Sequence, residues 1–435
     1  MQEHNEKSGS HAAATVPFAL LVALSIGLAA CGPAPEQAAP EQPAAPASTA
    51  VVYEGARLIV GDGSAPIENS TFTVDGGSFV EVGASGAIAV PEGASRVDLS
   101  GMTVMPAIID AHVHMSTTRD ELIADLQRRA YFGVGAAISM GSDDLETPLE
   151  IRDEAIPDAA RFLSAGLGIT SPEPGRRVVH WVTTEDEARQ AVRDEAARNV
   201  DMIKIWVDDR DGQYDQLSPE IYSAVIEEAH ANDLQVAAHI FELEDGKGLL
   251  RAGVDVFAHG VRDQDIDQEF LDLVAERPDV VLVPNLPARG VPTDLGWLAG
   301  TMPDDQLQAL QATEADPAAQ EAHGIQARNL ARLSEAGMIV AFGTDGNTPW
   351  APHVEMEDMV EAGMSPADVI VAATRNSAAA LGLADMGTIE SGKSADFLVL
   401  EANPLDDITN TRRIASVYLR GDEVDREAIR SRLMN

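Results

Sequence analysis

Two histidines one residue apart, His112 and His114 in the segment DAHVHM, are the first residues of this sequence whose spacing suggests chemistry. They follow an apolar run typical of a β-strand, and side chains two positions apart on a strand point to the same side. Both imidazoles can therefore approach one ion, and neutral imidazole is a common ligand of zinc and similar cations. Two half-exposed histidines at the end of a strand would explain the pair equally well.

More residues of ligand type accompany the later apolar runs. His239 and His259 end the fifth and sixth runs, and Asp345 ends the eighth run in FGTDGN. Lys204 lies in the fourth run, MIKIW, where its apolar neighbours disfavour the charged form. Because an ammonium group would repel a metal dication, we expect Lys204 to be neutral or to have reacted with carbon dioxide, which gives an anionic carbamate able to bridge two metals. The alternatives are a lysine that reaches solvent or pairs with an acid, and an aspartate that caps a loop.

The elements that must position these residues alternate between strand and helix. Eight short apolar runs are separated by helical patterns such as TTEDEARQAVRDEAARN, which opens with a Thr and Glu capping arrangement, and SPEIYSAVIEEAHAND, which has Asn232 near its end. The alternation predicts an α/β fold in which residues 106–385 form a (β/α)₈ TIM barrel, with the active site at the C-terminal ends of the strands. A doubly wound open sheet is the structural alternative.

The two flanks of this region have a different pattern. Residues 51–105 and 386–425 show short apolar alternations broken by turn signals such as GDGSAP and DGGS. We expect the two flanks to pair into one small β-sandwich domain formed from both ends of the chain.

The N-terminal segment predicts export and a lipid anchor. Residues 17–30 are an uncharged apolar run, too short to cross a bilayer comfortably, and LAAC before Gly32 resembles a bacterial lipobox with Cys31 as the lipidated residue. We interpret residues 1–31 as a lipoprotein signal peptide and the Ala- and Pro-rich residues 32–50 as a disordered tether. This predicts a protein of the cell envelope, lipid-anchored and facing the periplasm. An ordinary cleaved signal peptide, or a chance cysteine, is the alternative.

Charge and composition limit the partners. The chain has 30 Lys and Arg against 71 Asp and Glu, a net charge of −41, which argues against a nucleic-acid partner and is explained most simply by solubility. The single cysteine excludes a disulfide within the chain. The partners we expect are a small-molecule or short peptide substrate, a membrane through the lipid anchor, and further copies of the chain in a homo-oligomer.

The reactive segments occur together in a recognisable order. With DAHVHM, MIKIW, AAHI, FAHG and GTDG in succession, the chain resembles the amidohydrolase superfamily over roughly residues 51–425, and GTIESGKSADFLVL is similar to the C-terminal sandwich segment of that superfamily. Because it has a lysine in the fourth run, the chain resembles the binuclear subgroup of that superfamily. This subgroup includes imidazolonepropionase-like proteins, Xaa-Pro dipeptidases and amidases acting on N-acyl amino acids. Imidazolonepropionase itself resembles the chain less well, because enzymes of that kind use one metal and lack the bridging lysine.

The resemblance implies two divalent metal ions, with Zn²⁺ expected. The implied ligands are His112, His114 and Asp345 for the buried metal, His239 and His259 for the outer metal, and carbamylated Lys204 as the bridge between them. Two metals that share a water lower its pKa to about 7, and the resulting hydroxide would attack an amide carbonyl. Asp345 would accept the proton and pass it to the leaving nitrogen. We therefore predict a metal-dependent hydrolase that cleaves the amide bond of a dipeptide or N-acyl amino acid. A phosphotriesterase or lactonase using the same site, and a non-catalytic binding lipoprotein, remain alternatives.

Loops after the strands supply candidate substrate contacts. Arg262 can clamp a carboxylate with two parallel hydrogen bonds, and His353 can hydrogen-bond a substrate. The candidates are His180, Trp181, Tyr214, Phe241, Arg262, Asn347, Trp350 and His353. His230 and His323 lie in helical patterns, and we interpret them as structural.

Overall fold

The Val- and Ile-rich runs in the middle of the chain form buried parallel strands in the computed structural model, which describes residues 48–143 and 146–434. The predicted signal peptide, the lipobox residue Cys31 and residues 32–47 of the predicted tether lie outside the described residues. Ala50 is buried, and its carbonyl accepts a hydrogen bond from Ser95 N at 3.2 Å. The predicted tether is therefore too long at its C-terminal end, because Ala50 is already part of the folded region.

The described strands are short, as expected for runs bounded by turn signals. In chain order they are β1 Val51–Glu54, β2 Arg57–Leu58, β3 Ser70–Asp75, β4 Ser78–Ala84, β5 Ser95–Asp98, β6 Thr103–Pro106, β7 Ile108–Val113, β8 Val134–Ser139, β9 Arg161–Ser164, β10 Ile169–Thr170, β11 His180–Trp181, β12 Ile203–Val207, β13 Val236–Ile240, β14 Val256–Ala258, β15 Val281–Val283, β16 Ile339–Val340, β17 Phe397–Leu400, β18 Ile414–Leu419 and β19 Asp422–Glu423.

The described α-helices lie mainly between the strands of the middle region. They are α1 Arg119–Tyr131, α2 Glu146–Arg152, α3 Glu185–Ala197, α4 Pro219–Ala231, α5 Leu243–Ala252, α6 Gln268–Glu276, α7 Asp304–Gln311, α8 Pro317–Glu335, α9 Pro352–Glu361, α10 Pro366–Val371, α11 Ser377–Ala380 and α12 Arg426–Leu433. Short 3₁₀ segments occupy Gly296–Leu298 and Ile408–Arg412, and a π-helical segment occupies Ala372–Asn376. In the described part of the chain, no helix has both the length and the apolar character needed to cross a membrane.

Two parallel sheets carry the middle of the chain. One has the strand order β11-β10-β12-β13-β14-β15-β16, and the other has the order β7-β8-β9. Backbone hydrogen bonds join the two sheets on both sides. Ala111 N on β7 donates to Phe342 O, just after β16, at 2.7 Å, and Gly168 N before β10 donates to Gly141 O, after β8, at 2.9 Å. The backbone around β7 is therefore hydrogen-bonded to the segment that follows β16.

Two of the eight predicted strands are divided in the structure. The first run, TVMPAIID, is interrupted at Ala107, because β6 pairs antiparallel with β17 whereas β7 pairs parallel with β8. The third run, FLSAGLGI, gives β9 and β10 with a break between them. There Gly166 has a left-handed φ of 59°, and a side chain at Gly168 would lie 2.1 Å from the ring of Trp206. The ring of Trp206 thus occupies the space beside this break.

Helix capping agrees with the sequence. The Thr184 side chain accepts a hydrogen bond from Glu187 N at 3.2 Å, and Glu187 Oε2 accepts one from Thr183 N at 2.7 Å. These reciprocal bonds fix the start of α3. Asn232 follows the last residue of α4, as its position in the sequence suggests. The predicted capping arrangements of both helices are confirmed.

Two further sheets come from the two ends of the described chain. Their strand orders are β4-β3-β1-β5 and β19-β18-β17-β6-β2, so the second sheet joins three late strands to two early strands where β17 pairs with β6. An aromatic core joins them: Tyr53 stacks on Phe72 at 4.9 Å between ring centroids, and Phe397 stacks on Tyr418 at 4.5 Å. All described residues belong to one compact unit.

Candidate metal centre

The predicted ligand residues come from five parallel strands and meet at one edge. They are His112 on β7, His114 directly after it, Lys204 on β12, His239 on β13, His259 directly after β14, and Asp345 in the segment that follows β16. Parallel pairing brings these positions together because it keeps the C-terminal ends of neighbouring strands at the same edge. For example, Trp206 is the register partner of His239 in the β12–β13 pair.

Asp345 lies at the centre of the cluster. Its Oδ1 is 3.1 Å from Nε2 of His112 and 3.1 Å from Nε2 of His114, and its Oδ2 is 3.4 Å from Nε2 of His259. Burial by itself would raise the pKa of Asp345, but the surrounding imidazoles outweigh burial and hold that pKa well below the ordinary carboxyl value. Asp345 is therefore a carboxylate, the form that ligates a metal.

The donor set fits a divalent metal ion. Ligand atoms of His112, His259 and Asp345 all lie within 4.8 Å of one another. Within the described residues, His114 Nδ1, His259 Nδ1 and Lys204 Nζ are buried atoms without a hydrogen-bond partner. Burial lowers the pKa of His112 to about 3 and that of His259 well below its ordinary value, so both imidazoles are neutral. Neutral imidazoles around a carboxylate are the ligands that zinc and similar metals prefer.

Lys204 is fully buried beside this cluster. Burial lowers its pKa to about 7, with Arg176, Arg262 and Arg210 acting in the same direction and Asp345 opposing them. The side chain packs on Trp206, whose ring centroid lies 5.5 Å from Nζ. Because a buried amine without a hydrogen-bond partner is costly, the expectation that Lys204 is neutral or carbamylated has a physical basis in this environment.

His239 has a different partner from the other imidazoles. Its Nε2 lies 3.0 Å from Asp208 Oδ2 and contacts Arg210 as well. Its ring centroid is 4.7 Å from that of His259, so the two predicted outer-metal ligands are in contact. Burial lowers the pKa of His239 to about 4. Asp208, which also binds Arg210, is a residue near the ligand cluster that the sequence pattern did not indicate.

Two of the predicted ligand residues have unusual backbone conformations. His259 has a φ of 107° and Asp345 a φ of 50°, both in the region that non-glycine residues rarely adopt. Asp345 N donates to His112 O at 2.8 Å, which holds the bend in place. Such conformations cost on the order of 1–3 kcal/mol and persist where the surroundings enforce them. The backbone conformations of His259 and Asp345 therefore lower the stability of the fold at two positions in the cluster.

Asn285 fixes the orientation of His112. It lies next to the end of the seventh apolar run, and its Oδ1 lies 3.0 Å from His112 Nδ1. With Nδ1–H donating to Asn285, the Nε2 lone pair of His112 is free to face the metal position, as is usual for ligand histidines. A side chain at Gly343 would lie 2.8 Å from His112 Cβ and 2.9 Å from Asn285 Nδ2, so Gly343 allows this close approach.

A buried ion pair holds the first and last ligand segments together. Arg129 on α1 donates to Asp110 Oδ2 at 2.9 Å and to Gly346 O at 2.6 Å, and both side chains of the pair are 0% exposed. Asp110 also accepts hydrogen bonds from Thr344 N at 3.1 Å and from the Thr344 hydroxyl at 2.7 Å. The segment of the two histidines and the segment of Asp345 are therefore tied through one carboxylate.

Comparison with known proteins agrees with this geometry. The sequence pattern of the amidohydrolase family matches residues 103–424. The chain belongs to the amidohydrolase family. It is therefore a hydrolase of the class that acts on C–N bonds, and the sequence-based resemblance is confirmed.

Three proteins similar to this amidohydrolase cover most of its length. Imidazolonepropionase of Deinococcus radiodurans is 27% identical over 391 residues, which are 82% of this chain and 92% of that protein. A proposed prolidase of Bifidobacterium longum superposes with a TM-score of 0.73 at 28% identity, covering 89% of this chain and 100% of the other. A Xaa-Pro dipeptidase with bound methionine superposes with a TM-score of 0.70 at 24% identity, covering 86% of this chain and 99% of the other. This likeness concerns the fold.

Arg262 is the predicted substrate contact that faces the metal centre of the amidohydrolase. Nε donates to Gln326 Oε1 at 2.9 Å and Nη2 donates to Asn285 O at 3.4 Å. Both partners are neutral, and among the described residues Arg262 forms no ion pair. Burial lowers the pKa of Arg262, and Asp345 is the first of the acids that oppose this shift. The guanidinium is thus a half-buried cation near acidic residues that has no ion-pair partner among the described residues.

The other predicted contacts do not converge on the metal centre. His180 Nε2 binds Glu195 Oε1 at 2.8 Å, and Asn347 Nδ2 donates to Asp125 Oδ2 at 2.7 Å. Tyr214 lines a separate cavity with Gln216 and Ile221, and Trp181 is exposed. Phe241 lies directly after β13, and its carbonyl accepts a hydrogen bond from Arg262 N at 2.9 Å. Trp350 lines a cavity beside Thr344.

The prediction for His353 is wrong. His353 is buried, its Nε2 donates to Phe132 O at 2.9 Å, and its Nδ1 lies 3.0 Å from the Thr411 hydroxyl. Both ring nitrogens therefore have protein partners, which leaves none for a substrate. His230 binds Asp255 at 2.9 Å on the outside of the fold, in agreement with a structural role.

Several residues around the ligand cluster were not indicated by the sequence pattern: Asp110, Arg129, Asp208, Asn285 and Gln326. Asn285 carried a signal, because it lies near the end of the seventh apolar run, just as predicted ligand residues lie near the ends of other runs. Arg129 and Gln326 lie in helices, and nothing in their local sequence marks them as facing the strand ends.

Proposed function

We propose that this amidohydrolase uses two divalent metal ions, with Zn²⁺ expected, to hydrolyse an amide bond in an N-acyl amino acid or dipeptide. The observation that supports the proposal is the convergence of imidazoles from β7 and β14 on one carboxylate, with buried donor atoms beside it that lack partners among the described residues.

We also propose that the two parallel sheets form a closed (β/α)₈ barrel and that the end sheets form an appended β-sandwich. The bonds between β7 and the segment after β16 support this arrangement.

One metal ion would be bound by His112, His114 and Asp345, and the other by His239 and His259. Carbamylated Lys204 would bind both ions. When bound, the metals would activate water as the nucleophile and polarise the substrate carbonyl. The neutral amine of Lys204 would react with carbon dioxide to give a carbamate and one proton. The reaction would replace a buried amine that lacks a hydrogen-bond partner with an anionic carbamate, which can bind metal cations.

Asp345 is the residue that would move the proton. It would accept a proton at a carboxylate oxygen and deliver it to the amide nitrogen, because that nitrogen departs readily only as a neutral amine. Its imidazole neighbours at 3.1 Å and 3.4 Å fix the carboxylate in one orientation. Asn285 would keep His112 in the tautomer that ligates metal.

Arg262 would bind the carboxylate of the substrate. Within the described part of the chain its direct partners are the neutral acceptors Gln326 and Asn285, so an anionic group can take the remaining donors. Such a cation favours substrates that end in a free carboxylate, which both dipeptides and N-acyl amino acids have. The amidohydrolase family and the 28% identity to a proposed prolidase support the same bond type.

The decisive experiment compares the wild type with Lys204→Ala and with the control Lys393→Ala. Each protein is purified without chelator, its metal content is measured, and kcat/KM is determined for N-acetyl amino acids, their primary amides and dipeptides, with a phosphotriester and a lactone beside them. We expect Lys204→Ala to lose metal and at least about a hundredfold in kcat/KM, as befits loss of a metal-activated nucleophile. Lys393→Ala should behave as wild type, and the carboxylates should be better substrates than their primary amides.

Two results would contradict the proposal. Full activity and full metal content in Lys204→Ala would exclude the carbamate bridge. Turnover confined to the phosphotriester or the lactone would exclude amide hydrolysis as the reaction of this site, and a metal-free protein inactive on every compound would favour a binding lipoprotein.

We further propose that Cys31 carries a lipid that holds the protein in the cell envelope, facing the periplasm, and that the chain forms a homo-oligomer. The support for the anchor is the LAAC sequence after an uncharged apolar run. Full-length protein should remain in the membrane pellet after a salt wash, whereas Cys31→Ser should be released. Release of both proteins would refute the anchor.

A further inference from the structure

A large apolar cavity lies beside the metal centre. Its volume is about 440 Å³, within the range of about 300–1,000 Å³ typical of small-molecule sites. It is enclosed by the segment after β15, by α7 and α8, and by the segment between β16 and α9. Its apolar wall consists of Leu286, Pro287, Val291, Leu295, Leu310 and Trp350.

Two residues that line the cavity are chain neighbours of the candidate metal centre. Thr344, which lines it, directly precedes Asp345, and Leu286, which also lines it, directly follows Asn285. Asn285 contacts His112 through its side chain and accepts from Arg262 through its carbonyl. A substrate that places its scissile bond at Asp345 and its carboxylate at Arg262 therefore has this cavity as its neighbour.

Acidic residues outnumber cations among the residues that line the cavity. Asp358 and Glu355 line its floor, and Glu355 accepts hydrogen bonds from Leu286 N at 3.0 Å and 3.1 Å. The one cation among the lining residues, Arg289, is bound by Asp358 and by Glu361 on α9. An acidic side chain would meet these carboxyl groups without a free cation, whereas an apolar side chain would gain by leaving water.

We infer that this cavity binds the side chain of the amino acid whose carboxylate Arg262 holds, and that it selects bulky apolar side chains. The inference rests on the proposed function, and it narrows the substrate to amides of amino acids such as phenylalanine or leucine. The amide nitrogen of that amino acid is the leaving group, so the side chain and the carboxylate both belong to the released product.

The kinetic test uses a series of N-acetyl amino acids that differ only in the side chain: phenylalanine, leucine, alanine and glutamate. We expect kcat/KM for the first two to exceed that for alanine at least about tenfold, in line with the burial of one apolar group. Glutamate should be the poorest substrate. Equal values across the series would refute the inference while leaving amide hydrolysis intact.

The variants use exposed positions so that folding is preserved. Val291 and Leu310 at the cavity wall are 40% and 39% exposed, and Val80 on β4, in one of the end sheets, is 43% exposed. Val291→Asp and Leu310→Asp should each reduce kcat/KM for N-acetyl-phenylalanine at least about tenfold and that for N-acetyl-alanine much less. Val80→Asp should change neither. An equal loss on both substrates, or no loss, would count against the cavity as the side-chain site.

A binding measurement separates this inference from catalysis. Titration of the wild type with free phenylalanine, alanine and glutamate, followed by calorimetry, reports the occupant of the cavity even if no substrate is turned over. Tighter binding of phenylalanine, lost in Leu310→Asp, would support the cavity assignment. Equal affinity for the three amino acids would refute it, and failure of hydrolysis with selective phenylalanine binding would refute only the proposed reaction.

Discussion

His112 presents Nε2 to Asp345 because its other ring nitrogen is already bonded to Asn285. The bond selects one tautomer and one ring orientation, so the ligand is ready before a metal arrives. Partners of this kind are worth roughly 10–100-fold in metal affinity. Asn285 itself has a left-handed φ of 43°, which asparagine tolerates better than most residues.

Removal of this bond should weaken metal binding. We expect Asn285→Leu to reduce zinc affinity by roughly 10–100-fold, because His112 loses its orienting acceptor. Asn285→Asp keeps an acceptor at the same place and should retain affinity. Competition with a chromophoric chelator measures both. If Asn285→Leu binds zinc as tightly as the wild type, the orienting role is wrong.

At the residue scale the sequence indicated which side chains cluster, but it did not indicate the residues that support them. The spacing of His112 and His114 and the strand-end positions of His239, His259 and Asp345 are local features, and the structure brings these side chains together. Arg129 and Asp208 act through contacts made only after folding. The prediction for His353 failed for a related reason: His353 follows a strand in sequence, but its side chain turns into the protein toward Phe132.

Helix α1 positions two strand ends from the outside of the sheet. Asp125 and Arg129 are four residues apart and lie on one face of α1. Arg129 reaches Asp110 and Gly346, while Asp125 accepts hydrogen bonds from Ser116 N at 3.1 Å and from the side chain of Asn347. One helix therefore holds the segments after both His114 and Asp345.

Loss of the buried pair should destabilise the fold. Arg129→Met leaves Asp110 as an uncompensated buried charge, which costs about 3–5 kcal/mol. Arg128→Met is the matched control, because Arg128 is 46% exposed and its ion pair with Asp125 is worth about 1 kcal/mol or less. Urea denaturation of the metal-free proteins measures the free energy of unfolding. Equal losses in both variants would contradict the role assigned to Arg129.

Strand bounds were less predictable than strand number. TVMPAIID reads as one apolar run, yet its two halves belong to different sheets, because β17 pairs with β6 from nearly three hundred residues away. Similarly, the segment between β9 and β10 packs against the ring of Trp206, which comes from another strand. The periodicity of apolar residues indicates the local preference for strand or helix, but it contains no information on pairing partners that are distant in sequence.

The ends of the described chain are joined to its middle by buried polar contacts as well as by apolar packing. His353 connects α9 with the end of α1 and with the 3₁₀ segment at Thr411. Burial lowers the pKa of His353 to about 3, so its neutral form is the one that fits. This is one of the places where acid should weaken the whole molecule.

His353 should make stability depend on pH below 6.5. The unfolded chain protonates this histidine near its ordinary pKa of about 6.5, whereas the folded chain resists protonation until about pH 3. The unfolded state therefore binds more protons in between, and stability falls as the pH falls, by up to about 1.4 kcal/mol per pH unit. His353→Gln should lose this part of the slope between pH 6.5 and 4.5, as measured by urea denaturation. A slope equal to that of the wild type would show that His353 does not titrate in this way.

The aromatic core shared by the two end sheets sets the order in which the protein can be completed during translation. Tyr53 and Phe72 are synthesised early, but Phe397 and Tyr418, which cover them, leave the ribosome more than three hundred residues later. Until then the early strands expose large aromatic surface, which chaperones and proteases recognise. Any truncated product that lacks β17 and β18 keeps that aromatic surface exposed. We therefore expect incomplete chains to be degraded, whereas the complete chain buries the same surface.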